Sequence, residues 1–217
     1  MSTVRLMKAE NASLRFLNPT NYSSTNYRTN KSIETFIQDH PVTRALKANP
    51  KFIESRPHLN GPKILRDRKL LAGPLSGTQK VTVPPLVFSE KGGKCMVVIL
   101  HVGGDVCSHP GIIHGGLVAT LMDDTFCRCC SAVFPKRVGV TANLNVNFRK
   151  PALAESFIML KAEVAKMEGR KAWMEGSIET LEPDGGDSSL LAEAKALFIQ
   201  PKETEVSLCF GEALGVV

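Results

Sequence analysis

The stretch HPGIIHGG at residues 109–116, followed by the apolar run at residues 117–134, decides the fold of this chain. The first part is a glycine-rich turn with two histidines. The second is the only long helical pattern in the C-terminal two-thirds of the sequence. Apolar residues occupy one half of this helix, and we expect that half to pack against a sheet. They are Leu117, Val118, Leu121, Met122, Phe126, Cys129 and Val133.

Two adjacent carboxylates, Asp123 and Asp124, lie about two turns into the predicted helix. The side opposite the apolar half is a narrow strip of small residues with Asp123 in its middle. The other members of the strip are Gly116, Ala119, Cys127 and Cys130. A carboxylate there is open to close approach by a substrate or a second chain, although a solvated surface acid is the plainer interpretation. Asp124 points toward Arg128 four residues on, which predicts a surface ion pair.

Strand patterns flank the helix on both sides. Residues 81–88, broken at Pro84-Pro85, and residues 95–102 predict a hairpin closed by the turn at residues 91–94. Four further strands are predicted at residues 137–150, 156–167, 171–180 and 190–199. Short breaks between consecutive strands favour an antiparallel sheet, and a single helix in such a chain must bury its apolar face on that sheet. The predicted fold class is therefore α+β, in the order ββ-α-ββββ.

The first strand after the helix alternates strictly between apolar and polar side chains. Ala142, Leu144, Val146 and Phe148 share the face expected to cover the helix. The other face carries Thr141, Asn143, Asn145 and Asn147. Asparagine is a poor strand former, so three on one strand indicate a role beyond solubility, such as a layer against another subunit.

The composition, with 43% hydrophobic and 22% charged residues, is typical of a globular protein, and no apolar run is long enough for a transmembrane segment. The formal net charge of +6 favours an anionic ligand or a basic targeting segment. Because the basic residues are scattered, with no recognisable nucleic-acid module, we do not expect nucleic-acid binding. Three of the six cysteines crowd the predicted helix and secretion is not indicated, so we expect free thiols. Because the three point in different directions, we expect no metal site.

The sequence divides into four segments. Residues 1–31 are basic and poor in acids, which indicates either a transit segment or a disordered tail. Residues 32–74 form an N-terminal extension: a short helix capped by Ser32 and interrupted by Pro41, then a proline-rich connector over the domain surface. Residues 75–201 are the compact domain, and residues 202–217 are a C-terminal tail.

Four motifs, in order and suitably spaced, resemble the hotdog-fold acyl-CoA thioesterases. The PaaI-like branch fits best, and the chain is most similar to the mitochondrial thioesterase superfamily members 4 and 5. The motifs are HGG at residues 114–116 with an acid nine residues after the histidine, TANLNVNFRKP at 141–151, EGRK at 168–171 and EAKALFI at 193–199.

The resemblance implies a hotdog fold, in which an antiparallel sheet wraps one long helix, and a homodimer or dimer of dimers with active sites at the subunit interface. It implies Asp123 as general base or nucleophile, with Thr141 beside it from the partner chain. His114, Gly115 and Gly116 would hold the thioester carbonyl. The residues implied to contact coenzyme A are Asn147, Arg149, Arg170 and Lys171. No cofactor is implied, since coenzyme A belongs to the substrate, and the location implied is mitochondrial, with cytoplasmic as the alternative.

The residue types in these motifs suit the chemistry of thioester hydrolysis. Thioester hydrolysis develops negative charge on the carbonyl oxygen, which backbone N–H groups at a helix start can stabilise. A nearby carboxylate activates water or attacks directly, and a thiolate leaves without a strong general acid. Two alternatives stay open: a non-catalytic acyl-CoA-binding or regulatory hotdog protein, and a hotdog hydratase, for which His114 could serve as an acid–base group.

Overall fold

The computed structural model describes residues 30–202. The predicted transit segment or tail (1–31) and the C-terminal tail (202–217) lie almost entirely outside the described residues, as does Cys209. The helices are α1 (Asn30–Asp39), α2 (Pro41–Ala48), α3 (Lys63–Arg66) and α4 (Gly115–Val133). The strands are β1 (Phe52–Ser55), β2 (Leu86–Glu90), β3 (Cys95–Val102), β4 (Cys107–His109), β5 (Ile112–Ile113), β6 (Val140–Phe148), β7 (Ser156–Glu168), β8 (Lys171–Thr180) and β9 (Leu190–Ile199).

Seven of these strands form one antiparallel sheet in the order β1-β2-β3-β7-β8-β9-β6. Strands β4 and β5 make a separate two-stranded ribbon just before α4. The long helix α4 packs across the sheet and contacts β3, β6, β7, β8 and β9. This arrangement confirms the predicted α+β hotdog fold. Within residues 30–202, no helix combines the length and the apolar character needed to cross a membrane.

The apolar half of α4 forms the main core, as its 3.6-residue periodicity predicts. Six of the seven expected residues are buried, and only Val133, at the last turn, is half-buried. Phe126 lies at the centre of this core and packs over Gly176 of β8. A Cβ atom at position 176 would lie 2.7 Å from the Phe126 ring and 2.2 Å from the Lys161 carbonyl oxygen. A glycine is required there because a side chain would clash with the backbone of β7 as well as with the Phe126 ring of the helix.

The opposite face of the sheet is covered by the N-terminal extension. Ile33 and Ile37 of α1 are buried against β2, β3 and β7, in a second core with Phe88, Ile99 and Phe157. One detail of the predicted extension is wrong, since Ser32 lies inside α1 instead of capping it. The predicted interruption at Pro41 is confirmed, because α1 ends at Asp39 and Pro41 starts a second helix, α2. Proline suits the first helical position, and His40 Nδ1 caps the Val42 N–H at 3.2 Å.

The segment predicted to be a surface connector contributes a strand to the sheet and a residue to the main core. Phe52–Ser55 form strand β1, which pairs with β2 and extends the sheet at one edge. Leu71 is buried in the main core, and residues between them lie over α4. The predicted hairpin of β2 and β3 is confirmed, but β2 starts at Leu86, after Pro84-Pro85, since proline cannot donate to the ladder. The division at residue 75 stays a prediction.

Candidate active site

The start of α4 is shaped by the HGG motif. His114 is the N-cap residue, and its Nδ1 atom accepts a hydrogen bond from the Gly116 N–H at 2.8 Å. The N–H groups of Leu117 and Val118 donate to the His114 carbonyl oxygen. The Gly115 N–H is left at the helix start without an acceptor among the described residues. Of the three predicted residues, only Gly115 therefore offers a backbone donor to a ligand, and His114 positions the turn.

Gly115 also contacts strand β6. A Cβ atom at position 115 would lie 3.4 Å from the ring of Phe148, the last residue of that strand. The other histidine of the opening motif, His109, is exposed on β4 and makes its contact with Ser108. The helix start is thus tied to the C-terminal end of β6.

Asp123 lies eight residues along α4 from Gly115, which corresponds to about 12 Å of helix. Its side chain is half-buried, and its Oδ1 atom accepts a hydrogen bond from the Thr141 hydroxyl at 2.8 Å. Thr141 belongs to the same chain, so the expectation that the partner supplies it is wrong. The separation along the helix means that Gly115 and Asp123 of one chain cannot act on the same carbonyl group.

A β-bulge brings Thr141 to Asp123. Thr141 lies opposite Phe198, and Asn143 lies opposite the neighbouring residue Leu197, so Ala142 is an extra residue in β6. Phe198 is buried in the core beneath α4, and directly opposed residues share a face of the sheet. Thr141 therefore faces the helix, and the three asparagines face the other side. The predicted strict alternation holds from Asn143 onward and is wrong for Thr141.

Asp124 forms the expected ion pair with Arg128, but the pair belongs to a partly buried cluster and does not lie on the open surface. Arg128 Nε lies 2.7 Å from Asp124 Oδ2, and His58 Nε2 of the extension lies 3.6 Å from the same oxygen. The exposed fractions of the three side chains are 31% for Asp124, 16% for Arg128 and 5% for His58. Burial raises the pKa of Asp124, but the contacts with His58 and Arg128 outweigh it and lower the pKa to about 2. Asp124 is thus ionised and already bound by Arg128 and His58.

A cavity of about 380 Å³ opens beside Asp123, between α4 and the extension. Cys127 lines it and has a pKa raised to about 11, by burial first and then by the charges of Asp124 and Asp123. Its thiol is neutral at physiological pH and is a poor nucleophile. Cys130, expected on the open strip, is instead buried against Gly139 and Phe134. No group of three or more His, Cys, Asp or Glu side chains within residues 30–202 is placed to hold a metal ion.

The carboxylate, the bulge and the helix start all lie in a segment with known relatives. Residues 110–185 match the family model described as the thioesterase superfamily. A Schizosaccharomyces pombe protein, C26H8.11c, is 31% identical over 171 residues, which are 78% of this chain and 94% of that protein. The chain belongs to the thioesterase superfamily.

Two other relatives match a smaller share of this chain. A Candida albicans protein named as mitochondrial is 36% identical over 132 residues, 60% of this chain and 59% of that protein. The acyl-coenzyme A thioesterase THEM4 of Rattus norvegicus is 32% identical over 114 residues, 52% of this chain and 46% of that enzyme. The chain thus spans about half the length of the named enzyme.

The four residues that the superfamily resemblance implied for coenzyme A lie at two ends of the sheet. Lys171 lies opposite Ile199, which lies opposite Val140, so Arg170 and Lys171 are at the start of β6. Asn147 and Arg149 are at its other end, about 27 Å away for eight residues of strand. Arg149 there forms an ion pair with Glu193. One chain does not bring these four residues together.

A second cavity, of about 400 Å³, lies at the helix start and was not expected from the sequence. Gly115, Phe148, Arg149 and Lys150 line it. Lys150 is exposed, and its ammonium group donates to the Ser189 hydroxyl at 3.2 Å. One chain therefore carries two separate half-sites, one with the carboxylate and one with the helix start and two basic residues. The RKP sequence at residues 149–151 could have indicated that Lys150 belongs to this second half-site.

Proposed function

We propose that this chain hydrolyses acyl-CoA thioesters to a free fatty acid and coenzyme A, in fatty acid metabolism. The observation that carries the proposal is the hydrogen bond from Thr141 to Asp123 at the edge of a cavity. A carboxylate oriented by a hydroxyl group beside a cavity is suited to activate water or to attack a carbonyl carbon. Membership of the thioesterase superfamily and the name of the rat relative support the same substrate class.

Each active site is proposed to form between two copies of the chain. Strand β6 is the edge of the sheet, and its end residues Val140 and Phe148 are exposed. Antiparallel pairing of two β6 strands about a two-fold axis continues the sheet and covers both edges. Such pairing sets the Phe148 end of one chain beside Thr141 of the other. Gly115, which contacts Phe148, moves with it toward the Asp123 of the partner.

In this composite site the two half-sites divide the chemistry. The Gly115 N–H of one subunit donates to the carbonyl oxygen as negative charge develops there, and the positive end of the α4 dipole assists. Asp123 of the other subunit takes a proton from the attacking water or attacks the carbonyl carbon itself. The C–S bond then breaks, and its electron pair leaves with sulfur as a thiolate. If Asp123 itself has attacked, a water molecule then cleaves the acyl–Asp123 anhydride and releases the fatty acid.

Coenzyme A contacts follow from the same pairing. The end of the sheet with Asn147, Arg149 and Lys150 comes close to the partner end with Arg170 and Lys171. Cationic side chains at both strand ends suit the phosphates of coenzyme A. No bound cofactor is required, because coenzyme A arrives with the substrate. A mitochondrial location is proposed from the acid-poor N-terminal segment and the name of the Candida relative; a cytoplasmic location is the alternative.

The decisive experiment measures release of free thiol from short- to long-chain acyl-CoAs by the purified full chain. Asp123→Asn is expected to lower kcat by about 10²- to 10⁴-fold, the usual loss for a missing general base. Sedimentation is expected to give a dimer or a dimer of dimers. Binding of acyl-CoA without thiol release at any chain length would establish the non-catalytic alternative, and loss of an enoyl chromophore without thiol would establish a hydratase.

A further inference from the structure

Part of the N-terminal extension lies against the proposed catalytic carboxylate. The cavity beside Asp123 has α4 and residues 138–139 on one side, and His58 and residues 69–72 on the other. We call His58 and residues 69–72 the extension wall. The superfamily match covers residues 110–185 and so does not include this wall. The wall therefore lies outside the segment that the superfamily model describes.

The extension wall is attached to α4 at two points. Leu71 is buried in the main core. His58 is also buried, and its Nε2 atom lies 3.6 Å from Asp124 Oδ2 and 3.5 Å from an Arg128 guanidinium nitrogen. Asp124 follows Asp123 directly, so the residue that holds the wall and the proposed catalytic residue are neighbours on one helix. Any movement of the wall therefore changes the space beside Asp123.

The inner surface of this cavity suits a hydrocarbon chain. Leu70, Leu71 and Ala72 face it from the wall, and Cys127 and Val138 face it from the domain. The Cys127 thiol is neutral and behaves as a small apolar group. A smaller cavity of about 190 Å³ lies on the far side of the wall, also lined by His58, Leu71 and Ala72. These three residues therefore separate the two cavities and limit how deep a chain can enter.

We propose that the extension wall forms one side of the acyl-chain site and limits the length of the acyl chain that this protein accepts. The inference rests on the proposed function only in taking Asp123 as the thioester end of the site. The hydrocarbon chain lies between residues 70–72 and the pair Cys127 and Val138. The far end of the hydrocarbon chain contacts His58, Leu71 and Ala72, which separate the two cavities.

The test measures binding of S-ethyl-, S-hexyl- and S-dodecyl-CoA, thioethers that cannot be hydrolysed, by titration calorimetry on the full chain. For the unchanged protein, affinity is expected to rise about fourfold for each methylene that enters the cavity, until the cavity is full. Leu70→Trp narrows the cavity. Because Leu70 is 54% exposed, this substitution leaves the core intact. It is expected to reduce the gain from S-ethyl to S-hexyl at least tenfold.

The matched control is Ile64→Trp, in the same extension, 65% exposed and outside the lining of this cavity. It is expected to leave all three affinities within twofold of the unchanged protein. Ala72→Phe is the second variant, with a thermal melt to verify folding, and is expected to reduce the same gain. The proposal is overturned if affinity does not depend on chain length, if both wall variants match the control, or if they weaken S-ethyl-CoA as much as S-dodecyl-CoA.

These measurements separate the two proposals. If the protein releases no thiol, but its affinity for the thioethers rises with chain length and Leu70→Trp reduces that rise, the proposed hydrolysis is refuted and the proposal for the wall stands. Thiol release with a chain-length profile identical in Leu70→Trp, Ala72→Phe and the unchanged protein refutes the wall and leaves the hydrolysis in place.

Discussion

Replacing Asp124 by asparagine tests the contact between the extension and the domain. Asp124→Asn keeps the shape of the side chain but removes the charge that faces Arg128 and His58. Burial raises the pKa of Asp124, but the contacts with His58 and Arg128 outweigh burial and lower the pKa from 3.8 to about 2. The carboxylate is therefore charged in the folded protein throughout the physiological range, and its contacts with Arg128 and His58 stabilise the folded state.

The magnitude follows from the linkage between protonation and folding. A pKa lowered by about two units corresponds to about 2.5 kcal/mol. Since 31% of the Asp124 side chain is exposed, solvent screening reduces this to about 1–2 kcal/mol. Because the folded-state pKa is lowered, the stabilisation is complete above the unfolded-state pKa near 4. It is lost as the pH falls through about 2.

The assay is urea unfolding of the unchanged protein and Asp124→Asn between pH 7 and pH 2.5. The free energy of unfolding is expected to differ by about 1–2 kcal/mol at pH 7, and the difference is expected to shrink below pH 4. Asp184→Asn, in the exposed loop after β8, is the control and is expected to change stability by less than about 0.5 kcal/mol. A difference between Asp124→Asn and the unchanged protein that is absent at pH 7, or constant down to pH 2.5, would refute the ionised cluster.

Two further substitutions test the site and the core. Thr141→Val removes the hydroxyl that donates to Asp123, and a hydrogen bond to a charged group is worth about 1.5–3 kcal/mol. The kcat for thiol release is therefore expected to fall about 10- to 150-fold. Thr141→Ser is expected to retain most activity, and equal rates for the two variants would contradict the assignment. Phe126→Ala empties the centre of the core and is expected to lower the free energy of unfolding by about 3–5 kcal/mol in urea; a loss below 1 kcal/mol would show that the core closes around the gap.

The elements of the fold could be predicted from the sequence because their periodicities are local. The apolar residues of α4 recur every 3.6 positions, and the structure has the helix at Gly115–Val133 against the predicted 117–134. The strands β3, β7, β8 and β9 lie within one residue of their predicted bounds. In each case the pattern of buried side chains is written in consecutive residues and needs no knowledge of the partner strand.

The bulge in β6 could not be predicted, because an extra residue is defined only against the opposing strand. Thr141 and Asn143 lie opposite consecutive residues of β9, and nothing in the sequence around Ala142 marks it as unpaired. One added residue reverses the face of every side chain on one side of it. Strand β1 was not predicted either, because four residues are too few to show a reliable alternation of apolar and polar side chains.

The sequence by itself determined that two carboxylates stand side by side on a helix behind a glycine turn, and that the helix packs on an antiparallel sheet. The spacing of Asp124 and Arg128 also predicted the ion pair between them. Only the tertiary structure decided that this pair is partly buried and that Asp123 has a hydroxyl partner, because both depend on residues distant in the chain. Thr141 reaches Asp123 across a bulge, and His58 reaches Asp124 from the extension.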